Sequence, residues 1–132
     1  MAELFTLQII TPDRIFYDQP VEMVELTTTE GQMGIYARHI PLTAVVSPGI
    51  LTIHQEEGPR EAALMSGFIQ VLPEKVTILA EVAEWPEDID ENRAKEAKAR
   101  AERRLKSGSP EVDMARAEMA LKRAIVRLEV SK

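Results

Sequence analysis

Ala83-Glu84-Trp85-Pro86-Glu87-Asp88-Ile89-Asp90-Glu91-Asn92-Arg93-Ala94 is where the chain changes character. Residues 1–86 alternate short apolar runs with turn signals and carry four basic residues against twelve acids. Residues 87–132 are rich in alanine, glutamate, lysine and arginine, with twelve bases against ten acids. The first composition favours strands and the second favours helices. The chain therefore divides at Trp85-Pro86 into a body, 1–86, and a helical part, 87–132.

Upstream of the break, Leu4–Ile10, Ile15–Tyr17, Val21–Thr29, Leu42–Val46, Ile50–His54, Ala62–Ser66, Phe68–Leu72 and Val76–Val82 read as strands. The stops between them are turn-forming: Thr11-Pro12-Asp13, Glu30-Gly31, Ser47-Pro48-Gly49, Glu56-Glu57-Gly58-Pro59 and Pro73-Glu74-Lys75. Many short strands at intervals of about ten residues predict an all-β sandwich or flattened barrel. No helix-length segment interrupts them, which disfavours a parallel α/β sheet. The stretch Gly31-Gln32-Met33-Gly34-Ile35-Tyr36-Ala37-Arg38-His39-Ile40-Pro41 is less regular. It reads either as a connecting loop with its larger side chains tucked in or as an apolar docking loop.

Downstream, Pro86-Glu87-Asp88 predicts a helix entrance, with Asp90 and Glu91 at the positive end of the helix. Ala94, Ala97, Ala101 and Leu105 recur at helical spacing, and Ser107-Gly108 predicts the stop. Ser109 is the expected cap of a second helix, with Pro110 at its first position. Met114, Ala117, Leu121, Ala124 and Leu128 form its stripe. The short connection predicts an antiparallel hairpin. A seam of alanines buries little area, so the hairpin is expected to hold weakly and to be either fixed on the body or releasable. Arg93 and Arg100 share a face of the first helix, and Arg116, Arg123 and Arg127 recur on the second. Side by side, Arg93, Arg100, Arg123 and Arg127 would converge on one cleft suited to a polyphosphate; otherwise they are solvated faces carrying pairs such as Glu118 with Lys122.

Several functions are disfavoured. The acidic body argues against broad nucleic-acid binding. There are no cysteines, hence no disulfide scaffold or thiolate metal site. The N-terminal residues lack the pattern of a signal peptide, and no stretch approaches the roughly 18 apolar residues of a membrane span. No phosphate-binding glycine loop occurs, neither histidine sits in a metal-ligand pattern, and no Gly-x-Ser-x-Gly turn is present. The expectation is a protein that is not an enzyme.

Thr11-Pro12-Asp13, Gly31-Gln32-Met33-Gly34-Ile35, His39-Ile40-Pro41-Leu42, Ser66-Gly67-Phe68-Ile69-Gln70-Val71, Ile89-Asp90-Glu91-Asn92-Arg93-Ala94 and Arg116-Ala117-Glu118-Met119-Ala120-Leu121 occur in the order in which they stand in a known family. Together they resemble the epsilon subunit of bacterial, bacillus-type F-type rotary ATP synthases. The resemblance implies a sandwich of about ten strands followed by two helices. It implies a non-catalytic rotor subunit at the foot of the central stalk, peripheral on the cytoplasmic face of the membrane. Its sandwich would touch the gamma subunit and the c ring through Gly31, Met33, Gly34, Ile35, His39 and Pro41. Where many members have Pro-Gly or Pro-Asn before the histidine, this chain has Ala37-Arg38. Extended helices would inhibit ATP hydrolysis by meeting the alpha and beta subunits through Arg116, Lys122, Arg123 and Arg127. The Ile-Asp-x-x-Arg-Ala motif of ATP-binding members implies regulatory ATP on the folded hairpin. Its site would comprise Glu84, Ile89, Asp90, Arg93, Ala94, Arg100, Arg123 and Arg127, with Glu84 taking the adenine amino group. A free-standing sandwich adaptor with a helical protein-binding arm is the alternative.

Overall fold

Period-two alternation dominates the first two thirds of the chain. In the computed structural model, which describes residues 3–132, it produces ten strands: β1 Phe5–Thr11, β2 Arg14–Val21, β3 Met23–Thr28, β4 Gly31–Tyr36, β5 Leu42–Val46, β6 Gly49–Gln55, β7 Gly58–Leu64, β8 Gly67–Val71, β9 Lys75–Ala80 and β10 Ala83–Glu84. They pair in the order β10-β7-β6-β3-β5-β8-β9-β1-β2, with β4 joined to β3. Every pairing is antiparallel except β1 with β9. The ladder curls around one core to which every strand contributes, including Leu7, Val21, Val24, Ile35, Leu51 and Ile78. This is the expected all-β sandwich or flattened barrel.

Residues 31–41 are only partly a loop. Gly31–Tyr36 is a strand in full register with β3, from Thr28↔Gly31 to Met23↔Tyr36, and only the residues after it connect to β5. The two glycines hid its alternation. Pro20 and Pro59 also lie inside strands. Both are tolerated because β2 has only β1 beside it, and β10 covers β7 only at Ala63 and Leu64.

After β10, Pro86–Asp88 makes one 3-10 turn. Helix α1 spans Glu91–Ser107 and α2 spans Met114–Ser131. Asp90 caps α1 by accepting the Arg93 N–H at 3.0 Å. Gly108, at φ +66°, ends it in the left-handed conformation that glycine adopts without penalty. The second helix begins later than the sequence predicts. Ser109 accepts the Glu111 N–H in a local turn, and Asp113 takes over as cap, accepting the Arg116 N–H at 3.1 Å. Pro110 therefore lies in the connection.

Ala94 and Ala101 of α1 and Ala117 and Ala124 of α2 are the buried seam residues. Met114 is exposed, and Leu121 and Leu128 are only half-buried. The stripe is narrower than predicted because α2 divides its apolar residues between two surfaces. Val126 and Val130 pack on Ala63 and Met65 of the body, with Ile50, Val82 and Ile89 alongside. The hairpin thus lies folded against β6 and β7.

The junction is anchored on the body side. Trp85 stacks on Phe16 at 4.2 Å between centroids, and the Arg60 guanidinium covers its ring at 3.5 Å. The turn Thr11-Pro12-Asp13 is locked by the Thr11 hydroxyl, which donates to Asp13 at 2.8 Å and holds that carboxyl below its ordinary range.

Arg38 sits at φ +62° and donates through Nε to Glu3 at 2.9 Å. Its left-handed backbone is the conformation that the more usual glycine or asparagine favours, so this chain carries local strain there. Arg38→Gly is expected to stabilise the protein by about 1 kcal/mol, read from urea unfolding, because the strain costs more than an exposed ion pair returns. Gly67 has the opposite requirement: a β-carbon would collide with the Leu79 carbonyl. Gly67→Ala is expected to lower stability by about 2 kcal/mol or more in the same measurement.

Candidate functional site

The alanine seam sets the geometry of a polar cleft beside the hairpin. With no bulky side chain between them the helices lie close, and the arginines flanking the seam are thrown to one side of it. The cleft there has a volume of about 440 Å³. Glu84, Ile89 and Asp90 line its entrance, Arg93, Ala94 and Arg100 its α1 wall, and Arg123 and Arg127 its α2 wall. All eight residues expected to meet a nucleotide therefore border one cavity. Asp88 and Arg104 also border it and were not anticipated. Arg104 lies eleven residues after Arg93, on the same face of α1, and that spacing was the available signal.

Three of these residues also have partners within the chain. Arg127 Nε donates to Glu84 Oε1 at 2.6 Å, with both side chains about a quarter exposed (28%). In this state Arg127 engages one oxygen of Glu84 and is thereby tied to the sandwich, while the second Glu84 oxygen keeps its acceptor capacity. Asp90 spends one oxygen on the helix cap. Arg93, Arg100, Arg104 and Arg123 form no ion pair among the described residues. The cleft thus gathers carboxylates at the start of α1 and unpaired guanidinium groups farther along the hairpin. Such an arrangement accepts a ligand with hydrogen-bond donors at one end and an extended anion at the other.

The residues expected to reach catalytic subunits are also placed. Lys122 donates to the Ser47 hydroxyl at 2.8 Å, holding α2 to the body, and among the described residues it forms no ion pair with the anticipated partner Glu118. Arg116 is exposed. It borders a separate recess with Arg104, Glu111 and Asp113, where two acids balance two bases.

The expected docking residues divide. Ile35 is fully buried and belongs to the core, so it is unavailable to any partner. Met33 packs partly on that core. Gly31, Gly34 and Pro41 are exposed, and His39 uses Nδ1 to donate to the Ile40 carbonyl at 2.8 Å. The apolar surface at this end comes instead from Tyr36, 63% exposed, and Ile40, 77% exposed.

A second apolar surface was not anticipated. Val45 faces Phe68, Phe68 faces Leu79, Leu79 faces Ile10 and Ile10 faces Ile15 across consecutive strand pairings. Four of the five are large exposed hydrophobics, and Ile10 between them is half-buried. They form a continuous row over the outer face of β5, β8, β9, β1 and β2. The signal was a set of apolar doublets: Ile9-Ile10, Ile15-Phe16, Val45-Val46, Phe68-Ile69 and Ile78-Leu79. In a strand, each doublet puts one residue in the core and the other outside.

Comparison with known proteins agrees with this architecture. Residues 4–86 match the family described as ATP synthase, delta/epsilon chain, beta-sandwich domain. Residues 87–132 match ATP synthase, delta/epsilon chain, long alpha-helix domain. A protein of Shouchella clausii named ATP synthase epsilon chain is 47% identical over 126 residues, covering 96% of this chain and 93% of that one. One of the same name from Caldanaerobacter subterraneus is 44% identical over 132 residues, covering 99% and 96%. A chain in the cryo-EM structure of the Euglena gracilis mitochondrial ATP synthase, OSCP/F1/c-ring, superposes with a TM-score of 0.83 at 27% identity, covering 96% of this chain and 79% of that one.

The Glu84–Arg127 pair joins the last strand to the last helix, and its worth is measurable. A double-mutant cycle of Glu84→Gln and Arg127→Ala, followed by urea unfolding, is expected to return a coupling of about 1–2 kcal/mol. A value near zero would mean that the apolar contacts alone hold α2 down.

Proposed function

The chain belongs to the delta/epsilon chain family of ATP synthases, carrying both of its domains in order, and we propose that it couples the c ring to the gamma subunit while its helices regulate ATP hydrolysis. It is a non-catalytic subunit, as its epsilon-chain relatives indicate. Among the described residues no helix is long and apolar enough to cross a membrane, so its place at the membrane depends on other subunits.

In this reading the sandwich is the fixed attachment. The outer row of Val45, Phe68, Leu79, Ile10 and Ile15 seats on gamma, since an exposed apolar band of this length is a protein contact in search of a cover. The β4 end, with Tyr36, Ile40 and Pro41, faces the polar loops of the c ring. The hairpin is the regulatory arm. Folded, it holds ATP: Asp88 and Asp90 stand at the base end and the unpaired arginines at the phosphates, with Glu84 joining through its second oxygen and Arg127 if their mutual pair opens. Extended, it presents Arg116, Lys122, Arg123 and Arg127 to acidic surfaces of the alpha and beta subunits and inhibits hydrolysis. ATP binds the folded form, and by linkage it then disfavours the inhibitory one.

The observation that carries the regulatory part is the convergence of all eight motif residues on one cleft. Calorimetric titration of the full chain with ATP is expected to show binding that Arg93→Ala, Arg100→Ala and Arg123→Ala each weaken by about tenfold. No heat at millimolar ATP would sink the nucleotide assignment. Separately, synthase assembled with the chain cut after Pro86 is expected to hydrolyse ATP faster at low ATP than synthase with the full chain. Equal rates at every ATP concentration would remove the inhibitory role and leave the stalk role standing.

A further inference from the structure

Met65 follows β7 and lies beneath the hairpin. It is 2% exposed and shares an apolar cluster with Ala63 of the body and with Val126 and Val130 of α2. This cluster is separate from the core inside the sandwich, so the cover over Met65 comes from the arm. Its backbone is fixed without the arm, because its N–H donates to the Val82 carbonyl at 3.0 Å. Met65 therefore stays in place when α2 leaves, and its sulfur then faces water. Among the described residues it is the one buried methionine: Met114 and Met119 are exposed, and Met23 and Met33 are half-buried.

A thioether is a soft nucleophile, and oxidation turns its flexible apolar side chain into a polar one. With hydrogen peroxide, a sulfur lone pair attacks one oxygen, and the S–O bond forms as the O–O bond breaks. Sulfur is oxidised by two electrons and the peroxide is reduced. The proton of the transferred oxygen ends on the departing hydroxide, giving water. The sulfoxide oxygen is a hydrogen-bond acceptor, and no side chain of the cluster donates: Ala63, Val126 and Val130 are apolar, as are Ile50, Val82 and Ile89 beside them. Under the seated arm the sulfoxide would be buried without a partner, whereas with the arm released water solvates it.

We propose that Met65 is an oxidation site controlled by the arm: a peroxide reaches its sulfur when the hairpin leaves the sandwich, and the sulfoxide then keeps the hairpin from seating again. Burial fixes the order of events. Oxidation requires opening, its product favours opening, and the sulfoxide stays within reach of a reductant in the state it stabilises. The regulatory consequence rests on the inhibitory role assigned above to the extended arm: an oxidised subunit is held in the form that slows ATP hydrolysis until the sulfoxide is reduced. Met114 and Met119, exposed in the folded state, oxidise without any opening and set the reference rate.

The test treats the full-length chain with hydrogen peroxide and follows the sulfoxide at each methionine by peptide mass spectrometry. Met65 is expected to oxidise about tenfold more slowly than Met114, and Val130→Ala to narrow that gap by loosening the cover. The oxidised chain is expected to exchange its α2 amide hydrogens about tenfold faster than the untreated one, while a Met65→Leu chain treated in the same way keeps its slow exchange. Oxidation of Met65 as fast as Met114, no sulfoxide at Met65 once Met114 is fully converted, or equal exchange in the two treated chains overturns the proposal. Synthase assembled with the treated chain is expected to hydrolyse ATP more slowly than synthase assembled with the treated Met65→Leu chain. Faster exchange with equal hydrolysis overturns the inhibitory role of the arm and leaves the oxidation site standing.

Discussion

Four buried alanines, Ala94, Ala101, Ala117 and Ala124, govern the behaviour of the C-terminal third. Their small size lets the two helices approach closely, and close approach brings flanking arginines from both helices to one cleft. The same smallness leaves the helix pair with little apolar burial of its own. Larger residues in the seam would strengthen the hairpin and push its arginine walls apart. Ligand cleft and weak cohesion are therefore two outcomes of one packing choice.

Because the seam is weak, the hairpin's position depends on what else α2 touches. Val126 and Val130 rest on Ala63 and Met65, Lys122 reaches Ser47, and Arg127 reaches Glu84. Each contact joins the arm to the sandwich, and the last of them reaches β10, at the anchored junction itself. Trp85 is held between Phe16 and Arg60, and β10 stays laddered to β7. The 3-10 turn after it is closed by its own backbone bonds, Asp88 N–H to Trp85 and Ile89 N–H to Pro86. Motion of the arm would then begin at Ile89-Asp90, beyond the proline that marks the change in sequence composition.

What was legible in the sequence follows from range. Strand alternation, helix spacing and Gly108 as a stop are local patterns, and the ten-strand body followed by two helices agrees with them. The start of α2 was misplaced because Ser109-Pro110 and Asp113 are both acceptable caps, and only packing against α1 chooses between them. The strand at Gly31–Tyr36 was hidden by glycines whose register comes from β3. The Glu84–Arg127 pair spans 43 residues of sequence, so no window of neighbouring residues contains it. Ile35 entered the docking set as an apolar residue of an irregular stretch, although its side chain belongs to the core. The outer apolar row needed strand register to become a surface: five separate doublets carry no common meaning until the ladder aligns them.

The strength of the hold also fits a part that moves. Val126 and Val130 are the main apolar contacts of α2 with the body, and full burial of a valine contributes roughly 1.5–3 kcal/mol. A partly exposed ion pair such as Glu84–Arg127 adds about 1 kcal/mol. The sum, a few kcal/mol, opposes the ordering cost of keeping the arm down. A ligand present at a hundred times its dissociation constant adds about 2.7 kcal/mol, the same order as the whole apolar grip. A larger interface would have made the ligand irrelevant, and no interface would have left nothing for it to reinforce. With contacts this small, a nucleotide shared between α1 and α2, as proposed, would carry enough free energy to decide whether the hairpin stays folded.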